Sequence, residues 1–142
     1  MNTFQDCLTP ETTSWLKDNN LNYKVIDFAQ SPGKLILLFN DKLYLKVYDR
    51  LGHGFGVTIN VAEKYDEGLY ENDSFSLSWA YKYFNISETA SFNKRTESQY
   101  IQNLPNLIID LKNIVPKLGK MNSLEWNQMR EWMSKEARKY FS

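Results

Sequence analysis

The residues best equipped for chemistry cluster around the run Gly52-His53-Gly54-Phe55-Gly56, preceded by Arg50. Alternating glycines let a backbone approach an anion closely, and phosphate loops of that kind run from a strand into the N-terminus of a helix. Here the run lies between two segments that read as strands, so its context is that of a wide hairpin loop with a bulge. His53 is the only histidine of the chain. Acting as an acid or base it would need polar partners in a concave pocket, with Arg50 as anion anchor and the glycines at 52 and 54 as the close-approach points. Cys7 is the only cysteine. Asp6 beside it disfavours a thiolate, so it reads as inert packing rather than a nucleophile. One histidine and one distant cysteine leave only carboxylates as further ligands, so no metal site and no cofactor are expected.

Two charged stretches offer recognition rather than turnover. Between Glu63 and Asp73 five carboxylates face a single cation, Lys64, for a local charge of −4. Glycine and tyrosine stand at the third and fifth places counted from Asp66, where a calcium loop needs oxygen ligands. The plain reading is a solvated acidic loop. The sharper one adds the interleaved aromatics: Tyr65, Asp66, Glu67, Tyr70, Glu71 and Asp73 would present anchors and negative charge to a basic protein partner. From Lys112 to Lys139 seven cations oppose three glutamates, a local charge of +4. Because both signs are interspersed there, an ordinary solvated helix face is expected.

Lysine plus arginine and aspartate plus glutamate balance at 17 each, which disfavours nucleic acid as a partner. A lone cysteine argues for a reducing compartment. Met1–Leu8 shows neither a basic nor an apolar stretch, and the longest apolar run, Leu35–Phe39, is far below the ~20 residues that span a bilayer. A cytoplasmic protein that does not enter membranes is therefore expected. Aromatics make up 15% of the chain, which suits both cores and interfaces.

The elements that would position these residues follow from local signals. Thr9-Pro10 starts a helix that carries Trp15 and Leu16 inward and stops at Asn19-Asn20. Asn22 to Ala29, Lys34 to Asn40, Lys42 to Tyr48 and Gly56 to Ala62 read as four strands. They are joined through Ser31-Pro32-Gly33, Asn40-Asp41 and the glycine-rich loop, and these connections are too short for parallel crossovers. Glu63 to Ser74 is a loop. Phe75, Leu77, Trp79, Tyr81 and Tyr83 alternate like a strand, whereas Asp73 or Ser74 could cap a helix ending near Asn85.

Thr96-Glu97-Ser98-Gln99 opens a helix with the stripe Ile101, Leu104, Ile108, Leu111 and Val115. Pro105 should kink or split that helix, and Pro116 with Gly119 should end it. A last helix starts near Asn122, with Glu125 at the capping-box position, and runs to about Tyr140. It carries Trp126, Met129, Met133, Ala137 and Tyr140 on one face, with Trp132 off the stripe and expected at the surface. The whole is a single α+β domain over residues 1–142: an N-terminal helix, a four-stranded antiparallel meander, and two or three C-terminal helices packed on the sheet. It would be a monomer or a weak homodimer that uses the Trp126–Met133 face.

Tyr48, Asp49, Arg50 and Gly52, followed by Phe75, Leu77, Trp79 and Tyr83, form a pattern over Lys42 to Ile86. It resembles small bacterial proteins that serve as immunity partners of secreted toxins. The resemblance implies a stoichiometric inhibitor rather than an enzyme, and a short helix over Phe75–Phe84 packed on the sheet.

Overall fold

The computed structural model describes residues 2–28, 32–50, 54–63 and 74–141. Gly52, His53, Tyr65, Asp66, Glu67, Tyr70, Glu71 and Asp73 lie outside the described residues. After a 3-10 turn at Gln5–Cys7 the chain forms α1 (Pro10–Asp18), β1 (Asn22–Asp27), β2 (Lys34–Phe39), β3 (Tyr44–Asp49), β4 (Val57–Ala62), β5 (Phe75–Ser76), α2 (Leu77–Phe84), α3 (Glu97–Gly119) and α4 (Ser123–Phe141). The α+β class holds. The sheet, however, has five antiparallel strands in the order β1-β2-β3-β4-β5, not four.

The fifth strand comes from the ambiguous segment. Phe75 pairs with Val61 and Ser76 with Asn60. Then Ser76 turns the chain into α2: its side chain accepts from the Ser78 N–H at 3.3 Å, so the cap is Ser76 and not Asp73 or Ser74. Leu77, Ala80 and Tyr81 are buried at helical spacing. Trp79 and Tyr83 lie on the flank toward α4, where they meet Trp132. Aromatics on two adjoining faces of one helix produced the strand-like alternation.

Local chemistry explains the other boundaries. The Thr9 hydroxyl accepts from Thr12 N at 3.3 Å, and α1 ends where Asn20 takes a left-handed φ of 57°. Asn40 Oδ1 accepts from both Lys42 N and Leu43 N, which forms the reversal between β2 and β3. Asn122 and Glu125 exchange side-chain bonds with each other's backbone N–H, a complete capping box. At α3 the Thr96 hydroxyl accepts from Gln99 N as expected, but Gln99 Oε1 reaches back to Lys94 N and Arg95 N instead of to Thr96.

Pro105 does not split α3 and Pro116 does not end it, because both prolines lie inside the helix, whose last residue is Gly119 as expected. Each removes one ladder donor. The buried stripe of Leu104, Leu107, Leu111, Ile114 and Leu118 offsets that loss by packing on the sheet. The core gathers Ile36, Leu38, Leu45, Val47, Ile59, Val61 and Phe75 from the sheet with Tyr100, Leu104, Leu111, Trp126 and Met129 from the helices.

Trp126 and Met129, 1% and 0% exposed, lie in this core, and Met133 is half-buried against it. The α4 stripe fades toward its end, where Tyr140 is 71% exposed. Lys46 of β3 is buried, with Nζ 5.6 Å from the centre of the Tyr44 ring.

Candidate functional site

Two regions bring chemistry-capable side chains together. The first is the mouth of the β3–β4 hairpin. Arg50 takes a left-handed φ of 57°, and its N–H donates to Gly56 O at 2.9 Å, closing the hairpin. Its guanidinium lies 4.4 Å from the centre of the Phe55 ring and 5.9 Å from that of Tyr100, while its buried Nε has no hydrogen-bond partner among the described residues. Gly54, at φ 97°, sits beside Arg95: a Cβ added there would lie 3.8 Å from the Arg95 Cβ, so the space is adequate but a side chain would be strained. Arg50 and Gly54 therefore stand in the expected loop.

Asp49, beside Arg50, is buried and fully engaged. The Tyr100 hydroxyl donates to its Oδ1 at 2.5 Å and the Phe4 N–H to its Oδ2 at 3.2 Å. Burial raises its carboxyl above the ordinary value, against the opposing pull of those bonds and of the Arg50 and Lys34 charges. The Tyr100 hydroxyl is pushed up as well, by burial and then by its bond to Asp49. A carboxylate with both oxygens occupied inside the protein ties the N-terminal turn, β3 and α3 together and is not placed to take a proton from a substrate. Cys7 is inert on the same physical grounds: burial first, then Asp6 and Asp49, raise its thiol to about 11. Among the described residues no group of three or more His, Cys, Asp or Glu side chains could hold a metal ion.

The second region is a ridge between α2 and α4. Trp132 stands edge-on to Trp79 at 6.3 Å and to Tyr83 at 5.3 Å between ring centres, and Tyr83 meets Phe84 at 5.3 Å. Lys82 Nζ lies 4.8 Å from the centre of the Trp79 ring and 5.9 Å from that of the exposed Tyr140; Lys117 Nζ lies 5.9 Å from that of Phe84. Trp79, Tyr83, Phe84 and Trp132 are all half-buried. Trp132 was expected at the surface, and the correction has a plain cause: residues off the core stripe of α4 face α2, whose outward flank is aromatic. Only the spacing of Trp79 and Tyr83, four apart, could have flagged this ridge.

A third cluster, missed entirely, is structural. Asp110 is 1% exposed although it sits inside the helix stripe. Its oxygens accept from Thr89 N at 2.9 and 3.0 Å, Thr89 Oγ1 at 2.6 Å and Ala90 N at 2.9 Å, strapping the α2–α3 connection onto α3. Glu63, the first residue of the acidic segment, accepts from Ser123 Oγ at the start of α4 and lies 3.9 Å from Nη1 of Arg130, two turns further along that helix. Among the described residues no helix is long and apolar enough to cross a membrane. Compared with known proteins, the chain matches no family, no curated protein and no solved structure.

Proposed function

We propose that this chain is a non-enzymatic protein-binding domain, an immunity-type inhibitor that occludes a toxin domain in the cytoplasm. The observation that carries the proposal is the α2–α4 ridge, where half-buried aromatic rings carry lysines over their faces. Tryptophan and tyrosine are the residues on which interfaces concentrate binding energy, because they supply large rigid area at low entropic cost. The engaged state of Asp49 and the buried thiol of Cys7 add support, since the described acid and nucleophile candidates are committed to the fold. In sequence, Tyr65, Asp66, Glu67, Tyr70, Glu71 and Asp73 extend the proposal with carboxylates that would steer a basic toxin toward the inhibitor.

The test is co-expression with the toxin-like product of a neighbouring gene. The intact chain should restore growth, and a Trp79→Ala/Tyr83→Ala variant should bind at least about tenfold more weakly, as loss of interface anchors does. Failure of the intact chain to protect, or unchanged affinity in the variant, would remove the proposal.

One observation favours a second reading, a small enzyme or anion-binding domain that uses the Gly52–Gly56 loop with His53: the buried Arg50 Nε without a partner among the described residues. Titration with inorganic phosphate, followed by the NMR signals of the Arg50 Nε–H and the His53 ring, decides it. Saturable shifts at both would support a ligand site, and unmoved signals would end it.

A further inference from the structure

The two edges of the sheet are unlike. β5 is two residues long and passes directly into α2, so it offers almost no ladder to another chain. β1 is six residues long, contains no proline and, among the described residues, pairs on one side only, with β2 from Asn22↔Phe39 to Asp27↔Lys34. Along its free side alternate backbone N–H and C=O groups point outward, which is a template for an added strand. Proteins usually blunt such an edge by shortening, bulging or covering it. Here the blunting features are two exposed charges on the strand, Lys24 and, at its end, Asp27, which pairs with Lys34 at 3.2 Å.

Two further features sit at this edge. A groove of about 600 Å³ opens between α1 and the first half of β1, lined by Thr13, Leu16, Lys17, Asn20, Leu21 and Tyr23. Tyr23, 48% exposed, and Phe28, 42% exposed, bracket the strand at its two ends. The register places Tyr23 and Val25 on the helix side, opposite Leu38 and Ile36, and Lys24 on the outer face, opposite Leu37. A strand added beside β1 would therefore send every second side chain toward the groove and the others past Lys24.

We infer that the β1 edge is a docking site for an extended segment of a partner protein, apolar at the positions facing the groove and acidic at those facing Lys24. The backbone edge selects an extended chain, since only that presents matching donors and acceptors at the strand repeat. The exposed Lys24 selects acidic residues on the face away from the groove. A second copy of this chain fits less well, because pairing two β1 strands about Lys24 would set the two ammonium groups directly opposite each other. This surface is separate from the α2–α4 ridge and its test does not depend on a toxin being the partner.

The probe is an eight-residue capped peptide alternating valine and glutamate, with a valine–lysine peptide as control, added to the full chain and followed by amide NMR and hydrogen exchange. The valine–glutamate peptide should shift the amides of Asn22–Asp27 and slow exchange at alternate positions. Lys24→Glu should weaken that peptide about two- to fivefold, the range of a cross-strand charge pair, and strengthen the valine–lysine peptide. Tyr23→Ser should weaken both. Unmoved β1 amides, shifts confined to another surface, or no effect of the charge reversal would overturn the inference. Concentration-dependent protection of β1 without peptide would overturn it too, in favour of a second copy.

Discussion

The strap at Asp110 and the ridge between α2 and α4 treat polar groups in opposite ways. At the strap, one buried carboxylate receives the Thr89 N–H, the Thr89 hydroxyl and the Ala90 N–H, so its lone pairs face protein donors. At the ridge, Lys82 rests over two ring faces and the half-buried rings meet edge to face, which leaves donors and aromatic surface toward solvent. The contrast separates polar groups that hold the fold from polar groups able to meet another molecule. A buried carboxylate without its donors would carry a large desolvation penalty, whereas a lysine over a ring gives up little hydration.

The comparison can be broken first at the strap. Asp110→Ala should cost about 3 kcal/mol, because it leaves the part-buried donors of Thr89 and Ala90 without their acceptor. Urea unfolding measures that loss, and hydrogen exchange should show it concentrated around Thr89 and Ala90. A loss below about 1 kcal/mol, the net value of one ordinary hydrogen bond, would mean that the strap contributes little. At the ridge, Trp132→Ala should cost about 2 kcal/mol, less than a fully buried tryptophan, since part of its surface already meets water. A cost as large as that at Asp110 would recast the ridge as core.

Asp49 sharpens the comparison through pH. Asp49→Asn should cost about 1 kcal/mol by weakening one buried bond. It should also change how stability responds to acid. The folded carboxyl binds its proton more tightly than the unfolded value of 3.8. The folded state therefore holds more protons than the unfolded state between 3.8 and the raised folded value, and Asp49's contribution to stability falls as pH rises through that window. Wild type should lose its advantage over the asparagine variant as pH rises from about 3.8, and parallel stability curves would contradict the burial argument. Asp6 works the other way: bonds from the Asn2 and Thr3 backbone lower its carboxyl, so its stabilisation is lost on acidification. The smallest effect belongs to Lys82→Gln, about 0.5 kcal/mol in stability, as for an exposed cation over a ring. Its effect on partner affinity should exceed its effect on folding if the ridge is an interface.

Much of the architecture was legible residue by residue. Thr9, Asn20, Asn40, Asn122 and Glu125 act within three or four positions of themselves, so their roles can be read from neighbours in the chain. The strands β3 and β4 fall on the segments expected for them, with Leu45, Val47, Ile59 and Val61 all inward. The prolines of α3 misled because a helix can give up a ladder bond when a long apolar stripe holds it to a sheet. The ridge was misread for a related reason: α2 carries aromatics on two faces, and no window of its sequence tells which one meets α4.

What the sequence by itself determined is therefore the local grammar: where helices begin and end, which strand faces are apolar, and that the segments follow one another as a meander before the helices. Only the tertiary structure decided which polar groups are buried and what saturates them. Asp49 meets Tyr100 across 51 positions and Asp110 meets Thr89 across 21. The physical reason is that burial and hydrogen-bond satisfaction depend on the neighbours a side chain finds once segments pack. Spacing along the chain does not encode those neighbours.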